Sequence, residues 1–162
     1  MAGADWRSVP GSTGAEIGAK KVKFFVDTSV LVAVFLPGHV HHDRSFRIFS
    51  GANIKSAVCA AHSLAEVYAT VTRLPLKFRA SAQQAVTFLE MIEERFSLVA
   101  LDPGEYGHSI REAAALTVVG GTCYDALVAA CALKANADRL YTWNVGHFLL
   151  LGDEVANIVQ TP

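Results

Sequence analysis

Hydrophobic residues recur along this chain in two alternating rhythms. Short apolar runs suit buried strands, and i, i+3, i+4 stripes suit amphipathic helices. Val22-Lys23-Phe24-Phe25-Val26 predicts a first strand, followed by Asp27-Thr28-Ser29 and a helix from about Thr28 to Phe35 that Pro37-Gly38 stops. Phe46 and Phe49 indicate a second helix over 41–49, and Ile54 to Val58 reads as a second strand. From Ala60 to Arg73 the stripe Leu64, Val67, Tyr68, Val71 predicts a helix that ends before Pro75. Ser81 is placed to cap the next helix, which carries Val86, Leu89 and Ile92, and Phe96 to Leu101 is a third strand. Asp102-Pro103 opens a helix with an N-cap and a proline at the first helical position. Gly120-Gly121 breaks the chain before a helix over 122–135, with Asn136 as its C-cap. Leu140-Tyr141-Thr142 is a fourth strand and Val155 to Val159 a short fifth.

Strands alternating with helices imply an α/β fold with a mostly parallel sheet. Composition agrees with a packed domain: of 162 residues, 52% are hydrophobic and 18% charged, which excludes a disordered chain. No apolar run reaches the roughly 18–20 residues of a membrane span. Residues 1–20 lack the continuous apolar stretch of a secretory signal and read as an N-terminal arm, leaving 21–162 as the folded domain. Cys59, Cys123 and Cys131 are odd in number and lack Cys-x-x-Cys spacing, so buried reduced thiols of a cytoplasmic protein are expected. A net charge of −1 offers no broad basic surface for nucleic acid. Contacts to RNA would have to be local or mediated by a cation.

Ligands of open parallel sheets bind beyond the carboxyl ends of the strands, so the acidic groups there matter most. Asp27 leaves the first strand, Glu66 lies two turns into the helix after the second, Asp125 opens the helix after Gly120-Gly121, and Asn144 leaves the fourth strand. Each has a plain structural alternative. Asp27 can be an N-cap, and Asp125 can complete a capping box begun by Thr122. Glu66, opposite the Leu64/Val67/Val71 stripe, belongs on local context to a solvated face, and Asn144 can cap a helix. Taken together, however, carboxylates gathered at one place repel each other, and a hard divalent cation relieves that repulsion. Such a cation can lower the pKa of a water, or orient it, for attack on a phosphodiester.

Phe25-Val26-Asp27-Thr28-Ser29-Val30-Leu31, Ser63-Leu64-Ala65-Glu66-Val67, Tyr124-Asp125-Ala126-Leu127-Val128-Ala129-Ala130 and Ala137-Asp138-Arg139-Leu140-Tyr141-Thr142-Trp143-Asn144 occur in that order. In these segments the chain resembles the PIN-domain family, in particular the VapC-type toxins of toxin–antitoxin pairs. The resemblance implies a three-layer α/β/α fold on a five-stranded, mostly parallel sheet. It also implies a Mg²⁺- or Mn²⁺-dependent endoribonuclease in which Asp27, Glu66 and Asp125 hold the metal, directly or through water, with Asn144 completing the catalytic set. Thr28 and Ser29 would support the metal ligands by hydrogen bonding. RNA substrate, a homodimer and a cognate antitoxin over the acidic groove are further implications. Many members carry Asp where this chain has Asn144, so a three-carboxylate site with one well-held cation is expected, or else a weakened RNA- or protein-binding module. Asp138 precedes the fourth strand and is expected at the opposite end of the sheet; Asp153 is a minor candidate.

Among other residues, His39, His41 and His42 read as solvated or groove-lining, His62 as the histidine that approaches the acids, and His147 as structural. Arg44, Arg47, Arg73, Lys77 and Arg79 are candidates for phosphate contacts. Ser29 and Ser63 lack the Gly-x-Ser-x-Gly elbow of a hydrolase triad. Ser29 also stands where haloacid-dehalogenase-type phosphatases need a second Asp.

Overall fold

The computed structural model describes residues 24–162. The arm at 1–20, and the Val22-Lys23 start of the first strand, lie outside the described residues. Five strands form one sheet in the order β3-β2-β1-β4-β5, with every neighbouring pair parallel. They are β1 (Phe24–Val26), β2 (Ala57–Ala60), β3 (Ser97–Val99), β4 (Leu140–Tyr141) and β5 (Val159–Gln160). The expected α/β class and five-stranded sheet are borne out, with the sheet wholly parallel.

Alternation along the strands splits the core in two. Val26, Cys59 and Tyr141 face helices α1 (Thr28–Val34), α2 (His42–Gly51), α3 (Ala61–Arg73) and α4 (Ala82–Glu93). Phe25, Val58 and Leu140 face α6 (Thr122–Lys134), α7 (Val145–Phe148) and α8 (Asp153–Ala156), while α5 (Pro103–Ala115) packs on α6. Burial on both faces of β1, β2 and β4 explains why these strands read as short continuous apolar runs. The connections from β1 to β2 and β3 cover one face, and those around β4 and β5 cover the other. Strand order therefore reverses between β1 and β4, which makes the crevice beyond their carboxyl ends the place for a ligand.

Local signals located most helix ends. Ser81 accepts from Gln84 N at 3.2 Å while Gln84 Oε1 accepts from Ser81 N at 2.8 Å, and Asp102 and Glu105 form the same reciprocal box. Two strand expectations need correction. β2 begins three residues after Ile54, because Asn53 accepts from Lys55, Ser56 and Ala57 and turns that stretch, leaving Ile54 exposed. Val155 belongs to α8, where it is buried in the core, so β5 is only two residues long.

Two helices end in the same way. Asn136, one position beyond the α6 cap, takes a left-handed φ of 51°, and Ala137 N donates back to Ala132 O. After α5, Thr117 does so at φ 59°, with Val118 N donating to Ala113 O. A β-branched side chain is strained in that region. Thr117→Gly should therefore raise stability by about 1 kcal/mol. The expected reading is a higher urea midpoint at an unchanged denaturant slope.

Candidate active site

Asp27 follows β1 and is 2% exposed. Its Oδ2 accepts from Ser29 Oγ at 2.6 Å, Thr142 Oγ1 at 2.8 Å and Ser29 N at 3.3 Å. It is thus the N-cap of α1 and also bonded across the sheet to Thr142, the residue that follows β4. Glu66 lies on α3, whose buried line is Ser63, Val67 and Val71, with Leu64 only partly buried. Because Ser63 is polar, an apolar stripe misplaces the centre of that face. Glu66, three residues on and so about 60° round the helix, lies at its margin instead of opposite it. Thr28 shares its hydroxyl between Ser63 Oγ at 2.8 Å and Glu66 Oε1 at 3.3 Å.

Asp125 is not part of a capping box, since α6 is capped by Gly121 with no side-chain bond. Its Oδ2 instead lies 2.7 Å from His147 Nδ1. An ionised carboxylate can only accept, so Nδ1 carries the hydrogen. His147, read from sequence as structural, is therefore bonded to a site carboxylate. Asn144 precedes α7 without a side-chain cap bond, and its backbone N–H donates to Thr142 Oγ1 at 2.9 Å.

Asp27, Glu66, Asp125 and Asn144 line one groove of about 480 Å³, together with Thr28, Ser29, Val32, Thr70, His39, Val40, His41 and Trp143. Burial, then the charge of Asp27 and more weakly that of Asp125, push the Glu66 carboxyl up to about 7, against the hydrogen bond from Thr28. Burial also raises Asp125, while the hydrogen bond from His147 opposes it. His62 reaches the site as expected. Burial holds its pKa below the usual imidazole value, and its buried Nε2 lies 3.5 Å from Glu66 Oε1 without a hydrogen-bond partner.

Whether these residues fit a divalent cation can be judged from their oxygens. Each acid has one oxygen engaged by the protein: Oδ2 of Asp27, Oε1 of Glu66 and Oδ2 of Asp125. The other oxygen of each receives no protein donor among the described residues. Three fixed carboxylates with free oxygens suit a hard cation. Among the described residues no three His, Cys, Asp or Glu side chains form a ready-made ligand cluster, so a fit through retained waters is the one this groove supports.

Several expectations fall elsewhere. His42 Nδ1 donates to Ala33 O at 3.0 Å, away from the acids. Arg44 stands over Trp143, whereas Lys77 and Arg79 line a separate cavity of about 310 Å³. All three cysteines are free; burial pushes the Cys59 thiol up to about 12 and the Cys131 thiol up to about 11, while Cys123 is only half-buried. No helix among the described residues is long and apolar enough to cross a membrane. Sequence reading assigned no role to Thr142, whose hydroxyl is buried against Asp27. Its only signal was its place at the exit of β4.

The family model for the PIN domain matches residues 24–145. This chain belongs to the PIN-domain family. It is 33% identical over 114 residues to ribonuclease VapC27 of Mycobacterium tuberculosis, a match covering 70% of this chain and 79% of that protein. Its fold is similar to the crystal structure of VapC20 from the same organism, a sarcin-ricin-loop-cleaving toxin, with a TM-score of 0.63 and 16% identity over 77% of this chain and 92% of the other. It is also similar to a chain of VapBC2 from Rickettsia felis bound to a promoter DNA fragment, with a TM-score of 0.58 and 19% identity over 86% and 98%. The VapC resemblance read from the four segments is borne out.

The raised Glu66 pKa has a consequence for stability. The folded protein holds that proton more tightly than the unfolded chain does. In metal-free protein, stability therefore falls as pH rises from the ordinary carboxylate value through about 7. Urea midpoints in EDTA at pH 5 and pH 7.5 should show wild type losing more stability than Glu66→Gln over that interval. Parallel losses would contradict the assignment.

Proposed function

We propose that this chain is a divalent-cation-dependent endoribonuclease, the toxin of a toxin–antitoxin pair, with Mg²⁺ or Mn²⁺ held by Asp27, Glu66 and Asp125 partly through water. The observation that carries this reading is the set of three carboxylates in one groove, each held through one oxygen while the other takes no donor among the described residues. The VapC27 ribonuclease, a third identical to this chain, supports RNA as the substrate. When bound, the cation supplies the positive charge that an acidic groove needs to accept a phosphodiester, and activates a water for attack on it.

The protein's own residues prepare that site. Ser29 and Thr142 hold the Asp27 carboxylate in one orientation, and His147 does the same for Asp125. Thr28 steadies Glu66, whose carboxyl is pushed up to about 7 by burial and then by the charge of Asp27, and a bound cation would favour its deprotonated form. Asn144 adds a carbonyl oxygen without charge, consistent with one cation. An antitoxin covering this groove and a homodimer belong to the same reading, as do residues 1–20 as an arm on a domain of 21–162. The neighbour from Rickettsia felis, a VapBC assembly, supports the antitoxin. Free buried thiols suit a reducing, cytoplasmic setting.

Purified free of any antitoxin, wild type should cleave RNA with Mn²⁺, and Asp27→Asn should lose at least about 100-fold, because even outer partners of metal ligands are worth 10–100-fold. Equal cleavage by both would sink the assignment. Asn144 favours a second reading, a PIN-like module that binds RNA or protein without cutting. Calorimetric titration with Mn²⁺ separates the two. Binding that Asp125→Asn weakens tenfold or more, as loss of a direct ligand should, supports the nuclease, and binding indifferent to Asp125 favours the module.

A further inference from the structure

One wall of the groove is aromatic, and the metal chemistry makes no use of it. His41, just before α2, lies flat on Trp143, with ring centroids 3.7 Å apart and planes 8° from parallel. His39 leans on His41 at 5.4 Å, and the Arg44 guanidinium stands 5.3 Å from the centre of the Trp143 ring. His39, Val40, His41 and Trp143 share the groove with Asp27, Glu66 and Asp125, and Val40 is 85% exposed. Two hydrogen bonds fix Trp143 relative to the acids. Its Nε1 donates to the buried Ser45 Oγ at 2.9 Å, and its backbone N donates at 3.0 Å to Ser29 Oγ, which itself donates to Asp27. The stack is thus held at a set distance from the site carboxylates instead of swinging freely from a loop.

Bases in a duplex offer their faces only to each other, whereas unpaired bases stack on aromatic side chains and on guanidinium planes. With a net charge of −1 and an acidic groove, this protein draws little affinity for RNA from Coulomb attraction. Stacking is the favourable contact that remains, and it tolerates every base. We propose that the His41–Trp143 pair is a base-stacking subsite, which takes an unpaired nucleotide of single-stranded RNA while an adjoining phosphate reaches Asp27, Glu66 and Asp125. Arg44 completes the subsite with its planar cation over the Trp143 ring. Burial, then His39 and Arg44, hold the His41 pKa below the usual value, so a neutral ring is available for stacking at neutral pH. This substrate class rests on the ribonuclease reading above.

The full-length chain carrying Trp6→Phe leaves Trp143 as its one tryptophan and its own fluorescent reporter. In EDTA, where metal-dependent cleavage does not proceed, it is titrated with a heptamer of adenosine ribonucleotides. A parallel titration uses an abasic ribose-phosphate heptamer of equal charge. The adenosine heptamer should quench Trp143 and bind about 10-fold or more tightly than the abasic chain. His41→Ala should weaken adenosine binding about 5-fold or more, leave abasic binding unchanged, and be rescued by His41→Phe, which keeps a stacking face. Circular dichroism and urea midpoints establish that both variants fold. Equal affinity for the two heptamers, no effect of His41→Ala, or equal loss in His41→Ala and His41→Phe would each overturn the subsite. Mn²⁺-dependent cleavage with its Asp27→Asn control is scored separately. Cleavage without base-dependent quenching removes only the subsite, whereas quenching without cleavage keeps the subsite and removes the nuclease reading.

Discussion

A carboxylate taken almost wholly out of water must be surrounded by donors, and Asp27 is in that position at the end of the central strand. Its donors come from two directions. Ser29 is supplied by the first turn of α1, and Thr142 by the far side of the switch point. For both hydroxyls to reach one oxygen, β1 and β4 must be neighbours in register, as the pairing of Val26 with Tyr141 makes them. Ser29 then ties Trp143 into place, and Thr142 receives the backbone of Asn144. The whole exit of β4 is arranged around the anion at the exit of β1.

Around that anion the fold accumulates charge it would be easier to avoid. Glu66 and Asp125 are both raised mainly by burial, and each also feels Asp27. His147 and Thr28 offset part of the penalty, and among the described residues the other oxygen of each acid takes no donor. Such partial satisfaction weakens a fold and favours a ligand. On the proposed reading, a chain with net charge near zero would draw a phosphodiester to one place only, through a cation held by these acids. The aromatic wall beside it needs no charge.

Much of the fold was legible because its signals are local. Capping boxes at Ser81 and Asp102 are satisfied within four residues, so sequence adjacency is enough to find them. The stripe of α3 is also local, yet it misled on the one residue that mattered. Ser63 is buried by its bond to Thr28, a partner 35 residues away, and no periodicity of apolar residues registers a polar group satisfied at long range. Likewise the stretch after Asn53 looked like a strand by its side chains, but hydrogen bonds to Asn53 turn it. Asp125 was undecided between capping and chemistry until the N-terminus of α6 fell at Gly121.

By itself, the sequence determined the class of fold and the order of its elements, with Asp27 and Asn144 at strand exits, Glu66 on the helix after β2 and Asp125 on the helix after Gly120-Gly121. These follow from periodicity, turn chemistry and chain order, all of which act between near neighbours. Only the tertiary structure decided that His147 bonds to Asp125, that Thr142 secures Asp27, and that His41 lies on Trp143 beside them. Those pairs are separated by 22 to 115 positions. Asp125 and His147 meet where α6 packs on α7, and Thr142 reaches Asp27 through the parallel pairing of β1 with β4, by which two distant chain segments share the burial of a single charge.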